Sequence, residues 1–129
     1  MGMNYLLVFI GGGFGAACRY GVSLLSVRLF GTGFPAGTLG INLLGALLMG
    51  ILVEYALIKG NFPPHLKLLL ATGVLGGFTT FSTFALEIIE LFQRGQTIAA
   101  ISYALGSVIA GAAAVLLGMW LVRQVLVVS

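Results

Sequence analysis

The 129-residue chain contains no aspartate, one histidine and one cysteine, and only 7% of its residues are charged. A soluble domain carries roughly a quarter charged residues, so this chain lacks the polar surface to be an ordinary globular enzyme. His65 stands in a proline-rich segment, and no serine or cysteine has an identifiable base partner, so no residue set suits catalysis and the chain reads as a non-enzyme. Cys18 alone makes neither a disulfide framework nor a metal-ligand pattern. The six basic residues, Arg19, Arg28, Lys59, Lys67, Arg94 and Arg123, are scattered, and the formal charge is only +3. Without a basic cluster to neutralise a run of phosphates, nucleic acid is excluded as a partner. What is abundant is apolar surface: 60% of the residues are hydrophobic and the mean hydropathy is +1.16. That is more than one soluble core can hide, and it places the protein in a lipid bilayer.

A bilayer crossing needs about 20 apolar residues, and Gly and Pro punctuation divides the chain (1–129) into one transmembrane domain of four spans. The first runs over about 5–29 and ends in Phe30-Gly31-Thr32-Gly33-Phe34-Pro35. The second covers about 35–58, with Pro35 suited to its first turn. A polar loop, Lys59-Gly60-Asn61-Phe62-Pro63-Pro64-His65, leads to the third, about 66–92, and Gln93-Arg94-Gly95-Gln96 leads to the fourth, about 97–122. The N-terminal run lacks a basic n-region and a small-residue cleavage site, so it reads as a retained span. The expected fold is an all-α membrane protein, a four-helix bundle.

The third span differs at its middle, where Gly73, Gly76 and Gly77 precede Thr79, Thr80, Ser82 and Thr83. Two readings are open. A helix break at membrane depth, tolerated only where backbone is buried in protein or faces water, would present polar ends to an ion. A continuous helix would use the glycines for close packing and bond its hydroxyls back to carbonyls one turn earlier. Stripes at four-residue spacing run along the other helices: Gly11, Gly15, Arg19 and Ser23; Thr38, Asn42, Ala46, Gly50 and Glu54; Ser102, Gly106, Ala110, Ala114 and Gly118. Small residues there serve helix packing. Asn42, at mid-span, must find hydrogen-bond partners. Glu54, Glu87 and Glu90 lie near helix ends and are expected in interfacial water. The remaining polar inventory, Thr38, Asn42, Ser82, Thr83, Ser102, Tyr103 and Ser107, is of neutral donors, which suit an anion better than a cation.

With four spans both termini share a face, which holds Lys59, Lys67 and Arg123, against Arg28 and Arg94, with Arg19 deeper on that side. Lys/Arg bias sets orientation, and a chain this balanced can insert both ways and pair as an antiparallel homodimer.

Three motifs carry a resemblance to a known family. GxxxGAxxRY in the first span (Gly11, Gly15, Ala16, Arg19, Tyr20), GTLGINLLG in the second (Gly37 to Gly45) and GVLGGFTTFSTF in the third (Gly73 to Phe84) resemble the Fluc, or CrcB, fluoride channels. The resemblance implies a passive fluoride channel of the bacterial inner membrane, an antiparallel dual-topology homodimer with two pores and a broken third helix. It implies a sodium ion at the dimer centre on the backbone carbonyls of Gly76 and Thr79. By the same resemblance Phe81 and Phe84 line the pores, Asn42 donates within them, and Arg19 is a vestibule cation. Ser82, Thr83, Tyr103 and Ser107 are candidates for the polar wall. Gly111 stands where Ser or Thr is expected one turn after Ser107. The rival is a four-helix drug or cation antiporter of similar length, whose essential first-helix glutamate is missing here; a non-transporting assembly subunit is a third reading.

Overall fold

The computed structural model describes residues 1–128. Its elements are α1 (Gly2–Phe30), α2 (Ala36–Lys59), α3 (Pro64–Lys67), a π-helical stretch (Leu68–Leu75), α4 (Gly76–Phe78), α5 (Ser82–Gln93), α6 (Thr97–Arg123) and a second π-helical stretch (Gln124–Val128). No strand occurs among the described residues. Four helical runs are long and apolar enough to cross a membrane, Gly2–Phe30, Ala36–Lys59, Pro64–Gln93 and Thr97–Val127, the number expected from the sequence. Pro35 differs from expectation. It caps α2 from outside, with ψ at 58°, and its carbonyl accepts the Leu39 N–H at 3.2 Å, the first bond of the helix.

Gly60 ends α2 in the left-handed conformation, φ 74°, and its N–H returns to the Ala56 carbonyl at 3.1 Å, a backbone geometry that favours glycine. Pro64 then opens α3, where a missing N–H costs nothing.

Close approach sets the packing. α1 lies against the π-helical stretch and α4, α2 lies mainly against α6, and α5 packs on α6. A Cβ on Gly11 would come within 2.7 Å of the Leu69 carbonyl oxygen, and one on Gly15 would fall on the Val74 carbonyl. On the other side of the bundle, side chains at Gly50 and Gly118 would strike the backbones of Val115 and Leu47. The small-residue stripes therefore bring backbones together, as expected for helices whose only other neighbour is lipid. The α6 stripe does so over part of its length only, since Gly106 has open space beside it.

Three residues of the α2 stripe face inward, and the other two, Asn42 and Ala46, are half-buried beside a groove. Thr38, Gly50 and Glu54 are buried, and Glu54 corrects its expected place in interfacial water: it is 5% exposed and takes Arg123 Nε at 3.0 Å. Glu87 is half-buried and hydrogen-bonded, again not simply solvated, while Glu90 is exposed as expected. Phe84, Leu91, Ala100 and Tyr103 form the buried core between α5 and α6, and large apolar side chains such as Phe9, Ile98 and Ile109 cover the outside.

Candidate functional site

The third span is broken. α4 stops at Phe78, Thr79 is extended (φ −81°, ψ 158°), and α5 starts at Ser82. Breaking a helix strands N–H and C=O groups that must be satisfied within protein, and side chains from three sources do so. Asn42 of α2 donates from Nδ2 to the Thr80 carbonyl at 3.0 Å and accepts the Thr80 N–H on Oδ1 at 2.9 Å. Arg19 of α1 donates from Nε to the Gly77 carbonyl at 3.1 Å. Within the break, Thr79 Oγ1 bonds back to the Leu75 carbonyl at 2.9 Å, and the Thr83 N–H reaches Thr80 Oγ1 at 3.3 Å. The carbonyls of Gly76 and Thr79 receive no hydrogen bond among the described residues. Of the two readings the break is realised and the continuous helix is not, although Thr79 bonds back one turn as the continuous helix would have had it.

Beside the break lies a groove of about 390 Å³ lined by Asn42, Thr79, Thr80, Phe81, Phe84 and Ser107 among others. None of its described lining residues is charged. Ser107 Oγ is buried there without a hydrogen-bond partner. Asn42 spends one amide hydrogen on Thr80, leaving its second N–H for the groove. Phe81 is 79% exposed while Phe84 is buried, and the two rings stand 6.0 Å apart, inclined at 57°.

A second groove, about 320 Å³, opens towards the loop between α1 and α2 and is lined by Ser23, Thr38, Thr83, Glu87, Glu90 and Arg94 among others. One turn of α2, from Thr38 to Asn42, separates the two grooves. At this junction Thr38 Oγ1 and Tyr103 Oη both donate to Glu87, each at 2.9 Å. The Tyr103 ring meets Phe84 edge-on at 5.1 Å and Phe34 at 5.5 Å.

The sequence matches a known family. A family model described as CrcB-like protein, Camphor Resistance (CrcB), matches residues 6–119. The chain belongs to the CrcB family. Curated relatives cover nearly its whole length: a "Fluoride-specific ion channel FluC" of Methylobacterium nodulans is 50% identical over 122 residues, 95% of this chain and 98% of that one. Another of the same name from Granulibacter bethesdensis is 48% identical over 124 residues, 96% of this chain and 98% of its own. A "Fluoride-specific ion channel FluC 2" of Nitrobacter hamburgensis is 45% identical over 122 residues, covering 95% and 98%.

Of the residues singled out from the CrcB resemblance, Asn42, Thr79, Phe81, Phe84 and Ser107 meet in the groove at the break. Thr83 lines the second groove instead. Ser82 is exposed at the start of α5, Tyr103 is 2% exposed with its hydroxyl turned to Glu87, and Arg19 is held at the end of α4. The roles of Thr80 and Glu87 were not read from the sequence. Glu87 lies one turn after Thr83 on α5, a spacing that puts both on one face, and that was the available signal.

Proposed function

We propose that the protein is a fluoride-selective passive channel. The observation that carries this reading is the groove at the break, where an amide N–H of Asn42, an unpartnered buried hydroxyl of Ser107 and the rings of Phe81 and Phe84 meet with no carboxylate among its described lining. Fluoride is small and strongly hydrated, so a pathway must replace its water with several donors at once, without binding so tightly that the ion cannot leave. Neutral N–H and O–H groups and positive aromatic ring edges meet both demands. Family membership and the relatives named as fluoride channels support the same conclusion. The antiporter alternative would need an acid in the transport pathway to carry the coupling proton; Glu54, buried in α2, is paired with Arg123, Glu87 lies in the second groove, and the groove at the break is lined by neutral residues.

The ion would pass Asn42 and the phenylalanines along the groove at the break. Hydrogen fluoride crosses membranes neutral and dissociates inside to a trapped anion. A potential of about 100 mV, negative inside, is worth roughly 2.3 kcal/mol per charge, a gradient of roughly 50-fold at one decade per 1.4 kcal/mol. An inner-membrane channel of a bacterium therefore clears fluoride with neither ATP nor a coupling ion.

The functional unit in this reading is an antiparallel homodimer with two pores, since Phe81 projects from the chain at 79% exposure beside a groove open on that side. A sodium ion at the dimer centre fits the residues present: the free carbonyls of Gly76 and Thr79 are hard oxygen donors of the kind an alkali cation takes. When bound, it would supply positive charge that holds the two broken helices together.

The deciding experiment is efflux from proteoliposomes loaded with potassium fluoride, read by a fluoride electrode after valinomycin, beside identical vesicles loaded with potassium chloride. Fast fluoride release without chloride release is expected. No release of either ion from folded, inserted protein would sink the channel reading.

A further inference from the structure

Arg19 is the only ionised side chain within the middle of the first span. Its Nε–H is committed to the Gly77 carbonyl at 3.1 Å. Gly77 belongs to the last turn of an uninterrupted helical run, Pro64 to Phe78, and the final carbonyls of a helix carry partial negative charge with no partner of their own. The same turn is fixed against α1 by contact: a Cβ on Gly77 would fall on the backbone of Gly12, two turns before Arg19 on that helix. Across the break, Asn42 of α2 grips Thr80 at both its N–H and its carbonyl. The four residues from Gly77 to Thr80 are therefore held from two directions, by Arg19 on the α4 side and by Asn42 on the α5 side. The carbonyls of Gly76 and Thr79 stay free, and Phe81 follows immediately.

We infer that Arg19 is a positioning residue for the pore: its Nε hydrogen bond fixes the end of α4 and, through the three residues that follow, the placement of Phe81 and of the Thr80 unit that orients Asn42. This deepens the channel reading and rests on it. The alternative, a cation that concentrates anions by its field, acts through charge and is weakened by salt. A hydrogen bond to a carbonyl acts through one donor atom and is not.

Two substitutions separate these roles because of how the side chains are built. Glutamine carries an N–H at the atom that corresponds to arginine Nε and has no charge. Lysine keeps the charge but places a methylene at that atom. If Arg19 positions the break, R19Q retains fluoride efflux within about threefold of the native protein, and R19K loses about tenfold or more, the scale of one hydrogen bond to a charged donor. The loss is the same in dilute and concentrated salt. Hydrogen–deuterium exchange supplies a readout independent of transport: amide exchange over Thr79–Ser82 rises in R19K and stays native in R19Q. Conduction by R19K equal to that of the native protein, or impairment of R19Q as deep as that of R19K, would overturn the assignment. Failure of the native protein to release fluoride would instead overturn the channel reading, while the exchange comparison would still decide whether Arg19 holds the break.

Discussion

Asn42 does two jobs with one amide. Its oxygen and one hydrogen pair with the Thr80 backbone, and the remaining hydrogen is left over on a residue that lines the groove. Asn42→Asp removes both donors and sets a carboxylate oxygen against the Thr80 carbonyl now 3.0 Å from Nδ2. Fluoride efflux should fall about tenfold or more, the scale of an unmade buried hydrogen bond with added like charge; initial rates in liposomes test this, and an unchanged rate would remove Asn42 from the pathway. The phenylalanines allow a sharper comparison, because Phe9 and Phe81 are equally exposed at 79% and neither is part of a buried core. Phe81→Ile should impair efflux while Phe9→Ile should not, which separates a pore ring from a lipid-facing one. Phe84→Ile should impair it too, with some loss of stability because Phe84 packs against Tyr103. Equal efflux from all three variants would mean that the rings have no part in conduction.

At the scale of elements, helix packing was legible in the sequence where it rested on period and punctuation. The glycine stripes on α1 and α2 point to the contacts they make, whereas the density of Gly and Thr around residues 73–83 fits a break and a closely packed continuous helix equally well. Other features leave no local trace. The π-helical stretch Leu68–Leu75 is composed of residues that suit an ordinary helix equally well, and the pairing of Glu54 with Arg123 joins residues 69 positions apart. The resemblance makes Tyr103 a candidate for the polar wall, while the direction of its hydroxyl depends on Glu87 across a helix interface, which no spacing encodes. The packing account makes its own prediction. In Gly15→Ala the added methyl meets the Val74 carbonyl, an overpacking cost of about 1–3 kcal/mol, whereas Gly106→Ala enters open space and gains up to about 1 kcal/mol of helix propensity. Thermal unfolding followed by size-exclusion chromatography should show the first variant lost at lower temperature than the native protein and the second no worse. A Gly15→Ala protein as stable as the native one would mean that α1 and the third span can separate at little cost.

For the molecule as a whole the question is which way it sits. The face that holds both termini carries Lys59, Lys67 and Arg123, but Arg123 is engaged with buried Glu54, which lowers its weight as a free cytoplasmic anchor. On the other face, Arg28 lies in the last turn of α1 and Arg94 follows α5, where Glu90 lines the same groove. The free positive charge on the two sides is close to equal, and each Lys or Arg contributes only about 1 kcal/mol near an anionic membrane surface, so neither orientation has a decisive advantage. An antiparallel pair needs both orientations in one membrane. The loop residue Asn61 is exposed, so Asn61→Cys in a Cys18→Ser background reports the sidedness of the α2–α3 loop. A membrane-impermeant maleimide added to intact cells should label about half of the protein, with the rest labelled only after permeabilisation, because nearly equal charge gives nearly equal insertion. Labelling that is complete or absent in intact cells would establish a single orientation and exclude the antiparallel dimer, leaving Phe81 and the free carbonyls of the break to be covered in some other way.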